Sequence, residues 1–263
     1  MAFAREELLP ALPLFTELLG TPGLRRGSTV VVHGGDVPGA TSLLLALLAG
    51  PSAYGAWCAV VGAPELGLVA AGELGVALDR LVLVPEPGQR LPAVVGALLE
   101  GCDVVCLRCP PHLAASQARR FTARARERRS ALVVATGSAG SLRPASRGAP
   151  PDRASPGARP VASPATGWLD APDVTLAVLD SRFTGARQGS GRVTAHLVEV
   201  TARRRHAAPE EVRRWLWLPG EDGELGLAAE EPSSSSGTPD LLRTGTSGAR
   251  ARREHGHAGT DGM

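Results

Sequence analysis

The sequence predicts an α/β protein with a mostly parallel central sheet and an antiparallel C-terminal extension. Between residues 28 and 135, short apolar runs alternate with segments of helical periodicity. That alternation is typical of a parallel sheet covered by helices on both faces. Beyond residue 172, strand-like runs are separated by turns rather than helices, which favours antiparallel pairing.

The predicted elements follow in order along the chain. Residues 4–19 are predicted as a helix, because Leu8, Leu12 and Phe15 recur at helical spacing before the stop signal at Gly20. Strands are predicted at 28–33, 57–61, 81–84, 104–107, 131–135, 173–179, 192–200 and 213–218. Further helices are predicted at 41–49, 65–74, 92–99 and 113–129.

Composition divides the chain into a core of residues 1–219 and a tail of residues 220–263. Within the core, residues 137–167 are rich in Gly, Pro, Ser, Ala and Arg and lack periodicity. We interpret them as a flexible loop. The tail is rich in Gly, Ser, Glu and Arg and has few large apolar side chains, which predicts disorder.

The charge balance argues against a strongly basic protein. The formal net charge is +2, and 43% of residues are hydrophobic while only 3% are aromatic. The core must therefore be built from Leu, Val and Ala. The sequence has no Lys, Asn or Ile, and all 28 basic residues are Arg, which indicates a GC-rich genome. Codon pressure of this kind would explain replacement of a Lys by Arg, but not by Ala.

We expect a cytoplasmic protein that does not insert into a membrane. The N-terminus lacks a positively charged leader followed by an apolar run. The longest apolar run, at 43–49, is far shorter than the roughly 20 residues of a membrane span. The four Cys do not form the pattern of a secreted disulfide framework.

A glycine-rich turn after the first strand of the alternating region has the layout of a phosphate-binding loop. Such a loop needs Gly-x-x-x-x-Gly-Lys-Ser/Thr, because the glycines let backbone N–H groups surround phosphate at a helix N-terminus. Gly34, Gly39 and Thr41 fall at the required positions and Ser42 follows, but Ala40 replaces the lysine. We name Gly34, Gly39, Thr41 and Ser42 the vestigial phosphate loop. The alternative is a tight turn that needs glycine only for steric reasons.

The surroundings of this loop resemble the bacterial RecA recombinases. Residues 22–30 read Pro-Gly-Leu-Arg-Arg-Gly-Ser-Thr-Val, which is similar to the Gly-Leu-Pro-x-Gly segment before the RecA phosphate loop. Residues 74–81 and 85–88 resemble the entry to that family's next strand, and residues 192–219 follow the order of its closing strands. The resemblance spans residues 22–219 and implies a RecA-like P-loop core.

Besides the missing lysine, three departures from the RecA pattern fall on residues that serve ATP hydrolysis. Pro64 stands where the family has a catalytic glutamate, with Glu65 one residue away. Arg108 replaces the metal-orienting aspartate, and Asp103 lies about 16 Å away at the other end of that strand. Thr136-Gly137 replaces the γ-phosphate sensor. Phosphoryl transfer depends on such groups, so the resemblance implies no hydrolysis, while residual ATP binding through backbone amides stays open.

RecA-like chains with these losses resemble the ImuA-type accessory proteins of bacterial mutasomes. The amino-acid sequences of residues 24–28, 60–64 and 124–129 carry this resemblance. In that family, a RecA-fold subunit supports error-prone translesion synthesis with a Y-family-like polymerase protein and a replicative-type error-prone polymerase. The resemblance implies these partners and no catalytic residue. The family's partner contacts involve the C-terminal part, but no contact residue carries over.

A cysteine cluster has the spacing of an iron–sulfur motif, but we expect no metal there. Cys102, Cys106 and Cys109 are followed by His112. Cys102 and Cys106 would lie ~13 Å apart along the predicted strand, too far to share one ion at ligand distances of about 2.3 Å. Buried Cys commonly serves as a small apolar residue. His33, at the end of its strand, is likewise interpreted as structural.

Two arginine-rich segments are candidate surfaces for a partner or for DNA, although a solvated face is the simpler interpretation. They lie on the helix predicted at 113–129 and after the strand predicted at 192–200, and phosphate contacts there would make binding salt-dependent. Trp168 beside loop 137–167 is a candidate stacking residue, although a core anchor is the simpler interpretation. The candidate arginines are Arg120, Arg124, Arg128, Arg203, Arg204 and Arg205.

The resemblance to the ImuA-type proteins, together with the four departures from the RecA ATPase pattern, implies a non-catalytic RecA-fold adaptor in SOS mutagenesis, which supports translesion DNA synthesis through protein–protein contacts. Two alternatives stay open. One is a weak RecA-type ATPase that uses Glu65. The other is a single-stranded DNA-binding protein in DNA repair, which uses loop 137–167 and the arginine-rich helix.

Overall fold

A computed structural model describes residues 7–34, 37–110, 113–136, 172–187, 190–205, 211–228 and 242–243. The helices are α1 (Thr16–Leu19), α2 (Ala40–Ala53), α3 (Leu68–Glu73), α4 (Leu91–Gly101) and α5 (Ala115–Arg128), with 3-10 turns at Pro13–Phe15, Leu78–Arg80 and Gly88–Arg90. The strands are β1 (Leu8–Pro10), β2 (Gly23–Arg25), β3 (Thr29–Gly34), β4 (Cys58–Val61), β5 (Leu81–Val84), β6 (Val104–Arg108), β7 (Ala131–Thr136), β8 (Val174–Arg187), β9 (Ser190–Arg204), β10 (Val212–Trp217), β11 (Gly226–Leu227) and β12 (Leu242–Arg243).

The main sheet combines a parallel half and an antiparallel half. Its strand order is β11-β10-β9-β8-β3-β7-β6-β4-β5, and β12 adds to β8. From β8 through β3 to β5 every neighbouring pair is parallel, whereas β8, β9, β10 and β11 pair antiparallel. The predicted α/β class, with a largely parallel central sheet and an antiparallel extension, is confirmed.

The parallel strands face two separate apolar cores. Val30 and Cys106 belong to the core that contains α2 and the N-terminal segment. Leu107 points to the opposite face and joins Leu99 of α4 and Phe121 of α5 in the second core. Because neighbouring residues of a strand alternate between faces, helices cover both sides of the sheet. Because β3, β7, β6 and β4 are parallel, their C-terminal ends lie along the same edge of the sheet, which we call the carboxyl edge.

The prediction of one helix over residues 4–19 is wrong for the described part of that segment. Leu8–Pro10 is β1, which pairs antiparallel with β2 in a separate two-stranded sheet. A 3-10 turn and the single turn of α1 follow. Pro10 and Pro13 explain the difference, because proline lacks the N–H that a helix interior requires. Of the residues that carried the helical spacing, Phe15 is completely buried, whereas Leu8 and Leu12 are half-buried.

The antiparallel extension is longer than predicted. β8 and β9 form a ribbon whose pairing runs from Val174↔Arg204 to Arg187↔Ser190. β11 pairs with β10 through Leu216↔Leu227, so the sheet continues beyond the boundary predicted at residue 219. The backbone of β12 pairs with β8 at Phe183. Loop 137–167 and most of the predicted tail lie outside the described residues.

Candidate functional site

The vestigial phosphate loop connects β3 to α2 at the carboxyl edge. β3 ends at Gly34 and α2 begins at Ala40. A Cβ added to Gly34 would lie well inside 3.0 Å of the Ala40 Cβ. Gly39 has a φ of +126°, which residues with side chains rarely adopt, and a Cβ there would lie 3.2 Å from Val198. Both glycines are therefore required sterically, whether or not a phosphate binds.

Thr41 and Ser42 lie in the first turn of α2 and are half-buried. The Ser42 hydroxyl is 3.3 Å from Nδ1 of His196, and Nε2 of the same ring is 2.8 Å from the Ser181 hydroxyl. The imidazole also stacks on Phe183, with ring centroids 4.1 Å apart. The last position of the vestigial loop is thereby bonded to the β8–β9 ribbon.

Burial keeps the His196 ring neutral. The residue is 4% exposed. Burial lowers its pKa to about 4, although a hydrogen bond with the Leu218 backbone acts in the opposite direction. A neutral imidazole has one donor and one acceptor nitrogen, which matches one hydroxyl on each side. The sequence analysis missed this residue, because a lone His in an apolar strand does not reveal its partners.

Glu65 and Arg108 form an ion pair at the carboxyl edge. Arg108 is the last residue of β6, and Glu65 follows β4, its parallel neighbour. The Glu65 side chain is 43% exposed and the Arg108 side chain is 20% exposed. The Glu65 carboxylate, the substitute base considered in the sequence analysis, is therefore paired with Arg108, the residue at the position where the RecA resemblance implies a metal-orienting aspartate.

Asp103 and Thr136 have local structural contacts. Asp103 lies before β6 at the opposite edge, where it accepts hydrogen bonds from the Arg26 guanidinium at 2.6 Å and the Trp57 backbone N–H at 2.9 Å. At the carboxyl edge, the Thr136 hydroxyl lies 2.6 Å from Nδ1 of His33. Burial lowers the pKa of His33, so this ring also favours its neutral form.

The three candidate arginines of α5 do not act as one exposed face. Arg124 forms an ion pair with Glu100 of α4, and Arg128 lies 3.9 Å from the same carboxylate. Nε of Arg124 is also buried without a hydrogen-bond partner. Arg120 is exposed. Two of the three cations are thus next to an anion of the neighbouring helix.

The arginines at the end of β9 point to different sides of the sheet. Arg203 and Arg205 are exposed, whereas Arg204 is half-buried. Because side chains alternate along a strand, Arg204 faces away from its two neighbours. Its guanidinium lies against Gly20, where an added Cβ would clash with it. The structure therefore brings Arg204 to the α1–β2 turn, not into a cluster with Arg203 and Arg205.

The cysteines of the iron–sulfur-like motif are divided between the two cores. Cys106 belongs to the core around α2, while Cys109 lies in the core around α4 and α5, against which Cys102 packs. Among the described residues, no three His, Cys, Asp or Glu side chains gather where they could hold one metal ion. His112 and Trp168 lie outside the described residues.

Comparisons with known proteins match the part of the chain that contains β3 to β7. Residues 17–140, slightly under half of the chain, match the family described as MT3502 N-terminal domain. A stretch of 104 residues is 39% identical to the uncharacterized protein Rv3395c of Mycobacterium tuberculosis, covering 39% of this chain and 51% of that protein. A stretch of 91 residues is 35% identical to the protein RecA of Laribacter hongkongensis, covering 33% of this chain and 26% of that protein.

The chain thus spans about half the length of the mycobacterial relative and about a quarter of the RecA protein. The resemblance to RecA is supported over a third of the chain. Within the part that the structure describes, no helix has the length and apolar character needed to cross a bilayer.

Proposed function

We propose that this chain is a non-catalytic RecA-fold adaptor that supports error-prone translesion DNA synthesis through protein–protein contacts. The ion pair between Glu65 and Arg108 carries the proposal. A RecA-type ATPase needs its acidic groups directed at water and a metal ion. In this chain the Glu65 carboxylate is paired with the Arg108 guanidinium, and Ala40 provides no charge for phosphate.

The residues present do not fit a bound Mg-ATP. Arg108 brings positive charge to the place of a metal-orienting carboxylate, and the Ser42 hydroxyl lies beside His196. Without a lysine at position 40, contact of phosphate with the loop would depend on backbone N–H groups at the N-terminus of α2. The loop glycines already have a steric role in the turn. We therefore assign no step of chemistry to nucleotide at this edge.

The partial similarity to RecA supports the choice of process. A RecA-like fold that lacks hydrolytic groups retains its surfaces, so protein contact is the function that the remaining parts can serve. The proposed partners are a Y-family-like polymerase protein and a replicative-type error-prone polymerase. Contacts through the C-terminal part and the arginine faces belong to the same proposal.

Affinity capture of the tagged full chain from DNA-damaged native cells tests the proposal. We expect mass spectrometry to find both polymerase proteins enriched over a capture from undamaged cells and over an untagged strain. Repeated capture without either polymerase would refute the adaptor function.

An ATPase assay tests the enzyme alternative. We expect no turnover above that of a buffer blank, and no difference between the wild-type chain and Glu65→Gln. Turnover that Glu65→Gln abolishes would instead establish the weak ATPase.

A further inference from the structure

A cleft of about 480 Å³ lies at the antiparallel end of the sheet, in the hairpin that joins β10 to β11. We call it the hairpin cleft. Trp217 and Leu227 line it together with three acidic residues of the connecting turn, Glu221, Asp222 and Glu224. The acidic residues are exposed, and no arginine within the described part of the chain forms an ion pair with any of them. The cleft therefore combines an apolar wall with free negative charge.

The Trp217 ring has no side chain directly opposite it. Its cross-strand partner in β11 is Gly226, where an added Cβ would meet nothing within 4 Å. The two other described tryptophans differ, because an arginine guanidinium lies over Trp57 at 5.2 Å and over Trp215 at 4.5 Å. Arginine is attracted to an indole face and also forms paired hydrogen bonds with carboxylates. An arginine-rich segment is thus the chemistry that fits both parts of the cleft.

The chain itself contains such a segment. Residues 250–253, which we call the arginine run, read Arg-Ala-Arg-Arg. The run lies outside the described residues and follows β12 by six residues. Its positive charge complements the acidic turn, and its position in the same chain removes the need for a partner from solution.

The described backbone brings the chain close to the cleft just before this run. β12 pairs with β8 at Leu242↔Phe183, Phe183 pairs with His196 of β9, and the His196 N–H donates to the Pro219 carbonyl beside the cleft. These pairs form one line across the sheet, so β12 lies three strand spacings, ~14 Å, from the hairpin turn. The residues from the end of β12 to residue 250 can span about 23 Å. The run can therefore reach the cleft.

We propose that the arginine run docks in the hairpin cleft of its own chain, with one guanidinium on the Trp217 ring and the others paired with Glu221 and Glu224. Because the chain links the two parts, their effective concentration is in the millimolar range. Exposed ion pairs, which are individually weak, then suffice for a reversible contact that salt screens. The docked run covers the hairpin and controls access to it. This inference goes beyond the adaptor function and does not depend on it.

Limited trypsin digestion of the full chain at low salt, followed by mass spectrometry, tests the proposal, because trypsin cleaves after arginine and a docked run is shielded from it. We expect Glu221→Gln/Glu224→Gln to increase the rate of cleavage within residues 250–253 about threefold. Trp217→Leu, which keeps an apolar side chain, should increase it about twofold. Added salt should accelerate cleavage of the wild type more than that of the double variant. Rates are normalised to cleavage of a short peptide substrate.

The matched control is Asp79→Asn/Glu86→Gln, which removes the same charge from two exposed residues outside the cleft. It should be cleaved like the wild type, and circular dichroism should be the same for all these chains. Equal rates for Glu221→Gln/Glu224→Gln and the wild type would overturn the proposal. So would an equal acceleration in the control, or a protection of the wild type that weakens on dilution, which would mean docking on a second copy. Polymerase capture is a separate readout, so either proposal can fail alone.

Discussion

The charged and polar side chains at the two edges of the parallel sheet differ in whether they are paired with one another. At the carboxyl edge, where enzymes of this architecture place ligands, the described polar side chains bond one another: Glu65 with Arg108, Thr136 with His33 and Ser42 with His196. At the opposite edge, Arg25 and Arg126 are exposed and border clefts.

The difference shows that the polar groups described at the carboxyl edge are paired with one another. A buried polar group without a partner costs free energy, so a site without ligand is stable only when its groups pair internally. The carboxyl edge satisfies this condition, and its pairs connect β3 to β7, β4 to β6 and α2 to β9. At the opposite edge, by contrast, the described side chains of Arg25 and Arg126 are exposed to solvent.

The largest effect on the carboxyl edge should come from protonating His196. Its pKa is about 4 in the folded chain, against about 6.5 when unfolded. The folded state therefore disfavours the proton, so stability is complete above pH 6.5 and is lost as the pH falls towards 4. The expected loss is about 3 kcal/mol. Urea denaturation of the wild type at a series of pH values measures it.

The variant His196→Gln is the control, because an amide can still bond the hydroxyls of Ser42 and Ser181 but does not titrate. All other titratable groups are common to both proteins. The comparison is therefore between the two pH profiles, and the variant should lose less stability between pH 6.5 and 4. Parallel profiles would show that His196 does not control acid stability.

The next effect concerns the glycines of the vestigial loop. Gly34→Ala places a methyl group against the Ala40 Cβ, which cannot rotate away. We expect the free energy of unfolding to fall by about 1–3 kcal/mol, measured by urea denaturation with nucleotide absent.

The matched substitution is Gly96→Ala in α4, where an added Cβ meets nothing within 4 Å. Because Ala is the better helix former, it should raise stability by about 0.5–1 kcal/mol. If Gly34→Ala were as harmless as Gly96→Ala, the steric explanation of the loop would be wrong, and phosphate binding would be the remaining reason for glycine there.

Most of the parallel half could be predicted from the sequence. Apolar runs and helical spacing identified β3 to β7 and α2 to α5, because each signal depends on residues that are close in the chain. The helix prediction for the N-terminal segment is wrong because Pro10 and Pro13 lack the N–H groups that a helix interior requires.

At the candidate site, individual residues could be predicted from the sequence, but the contacts between them could not. The residues Ala40, Glu65 and Arg108 could be singled out from the sequence, but the ion pair of the last two depends on the parallel pairing of β4 with β6. The contact of Ser42 with His196 and the approach of Arg204 to Gly20 join residues that are far apart in the chain. No local pattern encodes such contacts.

The smallest predicted effect tests whether the Glu65–Arg108 ion pair stabilises the carboxyl edge or only neutralises the Glu65 carboxylate. A double-mutant cycle with Glu65→Gln, Arg108→Met and the double variant measures their coupling. Because Glu65 is 43% exposed, solvent screens the pair, and we expect a coupling of about 0.2–1 kcal/mol that shrinks as salt is added.

Asp79 and Arg80, a more exposed pair at 3.8 Å, provide the comparison cycle and should couple more weakly. Coupling at Glu65–Arg108 no stronger than in that pair would mean that the arginine neutralises the carboxylate without holding the strands together, which assigns the stability of this edge to His196 and its hydroxyl partners.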